Sequence, residues 1–245
     1  MQPSSFLRGA GYLLTGLQLI FTPGMRLFVA MPLLLGTLLY ASGTWYALSH
    51  ILAFSAWLNS YLPSWLSWME WILVPLFFGS VGMLLITTLG TVANLIGAPF
   101  NALLAQKIEI HLTGSFGNAK TDQPLGLWEN IFPPLRSEIG KILYYIVRAI
   151  PLLILFVIPM INIAAPFVWI IFTSWMNAFQ YTDFPMSNHQ MYDKEILARL
   201  REKRLLSLGF GAATLLMTMI PVVNFLAMPA AVAGATAMWV REWRE

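Results

Sequence analysis

Between Arg26 and Lys107 the chain carries a single charged residue, Glu70. An apolar segment of about 20 residues is long enough to cross the hydrocarbon core of a bilayer as a helix. The stretches on both sides of Glu70 exceed that length, and the whole sequence is 58% hydrophobic and only 10% charged. A soluble domain would carry about 25% charged residues. The sequence therefore predicts an all-α integral membrane protein.

The two apolar stretches predict long transmembrane helices over about residues 24–50 and 70–106. Before them, residues 4–21 place apolar side chains at helical spacing but include several glycines, which favours an amphipathic helix along the membrane surface. The aromatic residues and proline between 49 and 70 are typical of a membrane interface and a short connection. We expect one membrane domain over residues 1–245.

Two later apolar runs, at about 149–182 and 205–240, are interrupted by similar motifs: Ile-Pro-Met-Ile-Asn ends at Asn162 and Ile-Pro-Val-Val-Asn ends at Asn224. Proline cannot continue a helix and asparagine tolerates turns, so each run predicts two helices joined by a tight turn. Each arm is shorter than the about 20 residues that a full crossing requires. We therefore expect two partly penetrating, re-entrant helical hairpins with these motifs at their tips.

The distribution of positive charge predicts the orientation. All 14 Lys and Arg residues lie outside residues 27–106. Because cytoplasmic loops of membrane proteins are enriched in Lys and Arg, both termini are expected in the cytoplasm. Residues 49–70 are then expected on the outer side of the membrane.

Residues 22–26, Thr-Pro-Gly-Met-Arg, stand at the head of the first predicted span. Thr22 can cap a helix and Pro23 suits the first helical position. Gly24 lets a ligand approach the backbone closely, and Arg26 adds a guanidinium to the free N–H groups and positive dipole of a helix start. These features favour an anion site. A snorkelling arginine at the membrane boundary is the commoner alternative when only these residues are considered.

Further polar residues are candidates for the lining or the inner mouth of a transport path. They are Asn94, Asn101, Lys107, Glu109, Arg136, Arg148, Asn162 and Asn224. The first two share a helical face, where hydrogen bonding to a neighbouring helix is the commoner role. The four charged residues either attract anions or form ordinary cytoplasmic salt bridges. Interrupted helices in corresponding halves of a chain point to a transport path.

Catalytic chemistry has little support in the sequence. There is no Cys, no HExxH, no Gly-x-Ser-x-Gly and no Gly-rich nucleotide loop. Asp183, His189 and Asp193 lack the spacing of a metal site. We expect a protein that is not an enzyme, with no cofactor, no metal and no nucleic-acid partner, and whose basic helices contact membrane lipids.

Four long segments resemble the CysZ sulfate permeases of bacteria, and the resemblance extends over nearly the whole chain. The segments are residues 23–34, 93–114, 178–189 and 219–240. The resemblance implies sulfate uptake across the bacterial inner membrane for sulfur assimilation and cysteine biosynthesis, with proton dependence and without an ATPase subunit. It also implies a homo-oligomer built from two long helices and two partly penetrating hairpins, with residues 49–70 in the periplasm.

The resemblance further implies that sulfate binds at Gly24, Met25 and Arg26, which match the family's Gly-Leu-Arg type motif. Met25 replaces the aliphatic middle residue, and Leu27 stands where some relatives have a second arginine. Within the chain itself, Glu70 and Glu109 are the acidic candidates for proton coupling. Two alternatives remain: a channel or permease for another oxyanion, such as sulfite or thiosulfate, and a non-transporting membrane scaffold.

Overall fold

The computed structural model describes residues 4–50, 53, 56–57, 60–61, 68–115 and 127–244, with the backbone alone at 47, 70, 74, 85–86, 90–91, 93–96, 127–138 and 222. In chain order the helices are α1 (Ser5–Ile20), α2 (Arg26–Ser49), α3 (Glu70–Thr113), α4 (Leu127–Val157), α5 (Ala165–Ser187), α6 (Asp193–Glu202), α7 (Arg204–Thr218) and α8 (Pro221–Glu242). No strand occurs among the described residues, and the all-α prediction is confirmed. The connection predicted around 49–70 lies largely outside the described residues.

Four helical segments are long and apolar enough, by length and composition, to cross a membrane. They are Arg26–Tyr46, Trp71–Leu89, Ile139–Val157 and Val223–Glu242. The first two fall within the predicted long spans, and α3 continues well beyond its apolar window for 44 residues in total. Pro75 and Pro99 both lie inside this helix, and neither ends it. The chain is a helical membrane protein.

The described chain forms two compact units, one comprising the residues up to Val29 and from Asn101 onward, the other comprising residues 30–100. In the second unit α2 approaches α3 closely, because a Cβ built on Gly43 would lie 2.7 Å from Leu89 Cδ1. Small residues permit such close contact between membrane helices.

In the first unit, α1 packs against α7 and α8 through glycines. Gly9 lies against the backbone of Leu206, and Gly16 lies against the backbone of Ala230 and Gly234. A side chain at either glycine would meet backbone atoms of the facing helix, so the helices approach at backbone distance. The middle of α8 is consequently buried inside the unit. The largest buried side chains include Phe179, Phe210, Ile20 and Met238.

Both later apolar runs break at the predicted motifs. The first break separates Val157 at the end of α4 from Ala165 at the start of α5, and Asn162 lies in this connection. In the second, α7 ends at Thr218 and α8 begins at Pro221, so Asn224 lies in the first turn of α8. The expectation that Asn224 lies in a turn is wrong, because proline favours the first helical position and the helix starts before the asparagine.

The helices beside these breaks are longer than the uncharged stretches of sequence. The segments Ile139–Val157 and Val223–Glu242 contain 19 and 20 residues, which is sufficient for a crossing. They reach this length because each helix continues through charged residues, including Lys141 and Arg148 in α4 and Arg241 in α8. The partial penetration of the hairpins stays a prediction.

Candidate functional site

The predicted sulfate-binding residues lie in a turn that ends where α2 begins, and we call residues 22–26 the anion turn. Gly24 has a φ of +90°, a conformation that glycine adopts without strain. The Met25 N–H donates to the Thr22 carbonyl at 3.2 Å, and the Thr22 hydroxyl donates to the Leu19 carbonyl at 2.7 Å. The expectation that Thr22 and Pro23 start the helix is therefore wrong, because the turn at Gly24 delays the first helical residue to Arg26.

The anion turn exposes donors on its open side. A Cβ built on Gly24 would meet nothing within 4 Å, and the Arg26 side chain is exposed. Arg26 Nε donates to the Phe21 carbonyl at 2.8 Å, which fixes the direction of the guanidinium. In the described part of the chain, neither the Arg26 Nη groups nor the backbone N–H groups of Arg26 and Leu27 have an acceptor. The Met25 side chain is buried, so it packs in the protein interior and is not exposed to a ligand. A helix start with free N–H groups and a guanidinium is chemically suited to an anion.

A second polar site is built around Glu109, which is fully buried at 0% exposure. His189 Nε2 lies 2.8 Å from Glu109 Oε2, and Arg244 Nη1 lies 3.0 Å from Glu109 Oε1. The His189 ring lies beside the Trp239 ring, with 5.7 Å between centroids. A buried carboxylate is costly unless it is paired and hydrogen-bonded, so these contacts are what stabilise Glu109 in the interior. We call Glu109, His189 and Arg244 the charged cluster.

The charges predicted at the inner mouth do not pair with one another among the described side chains. Glu109 pairs with His189 and Arg244, whereas Lys107 and Arg148 are exposed. The Arg148 guanidinium lies over the Tyr144 ring, 3.5 Å from its centroid. The predicted role of Arg136 falls on a side chain outside the described set.

The predicted asparagines are in different environments. Asn101 is buried, at 3% exposure, one turn before the buried Leu104 and Ala105 of α3. Asn162 and Asn224 are exposed. The predicted role of Asn94 falls on a side chain outside the described set. Asn101 therefore lies on the buried face of α3 that also carries Glu109.

His189 and Arg244 were not among the predicted site residues. They lie 80 and 135 positions from Glu109, and no local spacing connects them. One signal was available: Glu109 follows Leu104, Ala105 and Ile108 at helical spacing on a face that proves to be buried. An acid on such a face requires a cationic or hydrogen-bonding partner. No group of three potential metal ligands occurs among the described residues.

A separate ionic network joins α1, α8 and the junction of α6 and α7. The Tyr12 hydroxyl donates to Glu242 Oε1 at 2.8 Å, Lys203 Nζ donates to Glu242 Oε2 at 2.7 Å, and Arg8 Nε lies 3.4 Å from Glu242 Oε1. Burial, followed by the hydrogen bond to Glu242, raises the pKa of Tyr12 to about 12. This network stabilises the packing of α1 on the rest of its unit.

Comparison with known proteins gives the family. The family model described as Sulfate transporter CysZ/Etoposide-induced protein 2.4 matches residues 12–229. The chain is 43% identical to the Sulfate transporter CysZ of Pseudomonas fluorescens, over 98% of this chain and 96% of that protein. It is 42% identical to the one of Pseudomonas aeruginosa, with 96% of each chain covered. It is 40% identical to the one of Salmonella typhimurium, with 96% of this chain and 93% of that protein covered. The chain therefore belongs to the Sulfate transporter CysZ/Etoposide-induced protein 2.4 family.

Proposed function

We propose that the protein transports sulfate across the bacterial inner membrane and thereby supplies sulfur assimilation and cysteine biosynthesis. The observation that carries this proposal is 40–43% identity, over nearly the whole chain, to proteins named Sulfate transporter CysZ. The four helices that are long and apolar enough to cross a membrane support a transport role. The names of these relatives describe transporters, which supports movement of sulfate without chemical conversion.

In this proposal sulfate first binds at the anion turn, Gly24 to Arg26. The free N–H groups of Arg26 and Leu27 and the Arg26 Nη groups donate to sulfate oxygens, and the open side of Gly24 lets the anion reach the backbone. Met25 contributes its buried side chain to the packing that holds the turn. Two oxygens of a tetrahedral dianion match the planar fork of an arginine, which favours a specific orientation.

The transport path then includes Asn101 and the charged cluster, together with Asn94, Lys107, Arg136, Arg148 and the polar tip residues Asn162 and Asn224. Within the cluster, the Arg244 guanidinium offsets the charge of the Glu109 carboxylate. The proposal includes proton-dependent transport, with Glu109 and its hydrogen-bond partner His189 as the residues to test.

The orientation and assembly form part of the same proposal. Both termini lie in the cytoplasm and residues 49–70 in the periplasm, as the placement of the 14 Lys and Arg residues supports. The protein acts as a homo-oligomer in contact with membrane lipids and needs no ATPase subunit. The apolar side chains exposed along α4, including Ile142, Leu143 and Ile146, support burial against lipid or a second copy.

The proposal is tested by uptake of radiolabelled sulfate into liposomes that contain the purified full-length protein, with and without an inward proton gradient. Unlabelled sulfite, thiosulfate, molybdate and phosphate are added in separate competition assays. We expect protein-dependent uptake that an acidic exterior increases and that unlabelled sulfate abolishes.

Each other outcome assigns a different function. Stronger competition by another oxyanion than by sulfate would make that oxyanion the substrate, since backbone amides and one guanidinium do not by themselves choose among tetrahedral anions. A sulfate uptake rate that is the same with and without the proton gradient would support a passive sulfate channel. Absence of anion movement by correctly folded protein would contradict transport and favour the membrane scaffold.

A further inference from the structure

A basic cavity lies at the start of α1, beside the junction between α6 and α7. It has a volume of about 370 Å³ and is lined by Ser5 and Arg8 from α1 and by residues 201–206 from the junction. None of the residues assigned to sulfate binding or to the transport path lines it. We call it the α1–α7 cavity.

Four of the lining residues are cationic, namely Arg8, Arg201, Lys203 and Arg204, and one, Glu202, is acidic. Glu242 forms ion pairs with Arg8 and with Lys203 and offsets part of their charge. Neither Arg201 nor Arg204 has a carboxylate partner within the residues that the structure describes. The cavity therefore retains uncompensated positive charge, which favours an anionic ligand.

Two helices also begin at this cavity. α1 starts at Ser5 and contains 16 residues, and α7 starts at Arg204 and contains 15. Neither helix has an acidic residue in its first turn, and α7 has no side-chain cap. The first N–H groups of a helix carry partial positive charge, so both helix starts add to the field of the arginines.

Exposed apolar side chains border the same helix starts. Leu7 in α1 is 62% exposed and Leu205 in α7 is 61% exposed, and Phe6 is 40% exposed. A soluble anion gains nothing from such a border, whereas a phospholipid places its phosphate at the basic groups and its acyl chains along the apolar ones. We infer that the α1–α7 cavity binds the phosphate headgroup of an anionic phospholipid.

The test uses full-length protein in neutral detergent and native mass spectrometry to count bound phosphatidylglycerol during a titration. Arg201→Gln combined with Arg204→Gln removes the two unpaired charges of the cavity. Lys194→Gln combined with Arg199→Gln is the matched control, because it removes two charges from α6 outside the cavity. We expect the cavity variant to weaken phosphatidylglycerol binding about thirtyfold and the control to leave it nearly unchanged. Phosphatidylcholine should bind weakly to all three proteins.

A conservative variant separates charge from folding. Arg201→Lys combined with Arg204→Lys keeps the positive charge and should restore most of the binding that the glutamine variant loses. Equal loss in the cavity and control variants would overturn the inference, because binding would then follow total charge. Displacement of the lipid by millimolar inorganic phosphate or sulfate would also overturn it and would assign the cavity to soluble oxyanions. These results do not depend on whether the protein transports sulfate.

Discussion

Glu109 Oε2 and His189 Nε2 lie 2.8 Å apart although 80 residues separate them in the sequence. Glu109 belongs to α3, whereas His189 follows the end of α5, and Arg244 near the C-terminus bonds the other oxygen of the same carboxylate. Three distant parts of the chain are therefore tied together at one buried acid. This arrangement gives the charged cluster a structural role.

We predict that His189→Gln lowers the free energy of unfolding by about 1–3 kcal/mol, because it removes a charge-assisted partner from a buried carboxylate. In a Glu109→Gln background the same substitution should cost much less, giving a coupling energy of about 0.5–3 kcal/mol. Denaturant unfolding in detergent measures both values. His111→Gln, at an exposed histidine on the same helix, is the control and should have little effect. If His189→Gln lowers the free energy of unfolding equally in the native and Glu109→Gln backgrounds, the contact between His189 and Glu109 does not stabilise the protein.

The close contact between α1 and α8 gives a second prediction. Gly16→Ala should destabilise the protein by about 1–3 kcal/mol, because the new methyl group would meet the backbone of Ala230 and Gly234. Gly11→Ala introduces the same group into open space on the same helix and should be neutral or stabilising, since alanine favours helices. The melting temperatures of both variants and of the native sequence are compared by thermal unfolding. Equal changes in the two melting temperatures would contradict the packing described for α1.

The hydrogen bond from Tyr12 to Glu242 predicts a dependence of stability on alkaline pH. The pKa of Tyr12 is raised to about 12 in the folded protein, above its ordinary value of 10.0. The folded state therefore favours the neutral phenol, and the resulting stability is present below about pH 10 and is lost as the pH rises toward about 12. Tyr12→Phe should cost about 1 kcal/mol near neutral pH, and its free energy of unfolding should fall less steeply above about pH 10.

The measurement is the difference in unfolding free energy between the native sequence and Tyr12→Phe at about pH 8 and at about pH 11. Tyr61→Phe, at an exposed tyrosine, is the control for general effects of alkaline pH. The difference between the native sequence and Tyr12→Phe should shrink at the higher pH. If the difference in unfolding free energy between the native sequence and Tyr12→Phe is the same at both pH values, the Tyr12 phenol does not contribute the pH-dependent stability described above.

Much of the architecture could be predicted from hydrophobic patterning and from proline. The charge-free stretches predicted α2 and α3, and the motifs at Pro159 and Pro221 predicted the two breaks. The start of α2 could not be placed correctly because the conformation of Gly24 competes with the helix signals of Thr22 and Pro23. Local propensity alone does not decide that competition.

The partners of the predicted site residues could not be found from spacing. The inner-mouth charges were expected either to attract anions or to form ordinary salt bridges, and Glu109 forms its salt bridges with His189 and Arg244. Such contacts depend on how α3, α5 and α8 pack, which a helical period does not specify. The sequence therefore identified Glu109 as a candidate without identifying the residues that keep it buried.

In the proposed transport mechanism, Arg26 in the anion turn binds the transported sulfate. The most direct measurement is the initial rate of labelled sulfate uptake into liposomes containing the native sequence, Arg26→Ala or Arg26→Lys. Lys194→Ala, at an exposed lysine of α6, serves as the control, and thermal unfolding of each variant verifies folding.

We expect Arg26→Ala to reduce the uptake rate by about tenfold or more, because a charge-assisted hydrogen bond contributes about 1.5–3 kcal/mol. Arg26→Lys should retain part of the rate, since it keeps the charge but loses the planar fork. The control should transport normally. If folded Arg26→Ala takes up sulfate at the native rate, Arg26 is only a boundary residue and sulfate binds elsewhere.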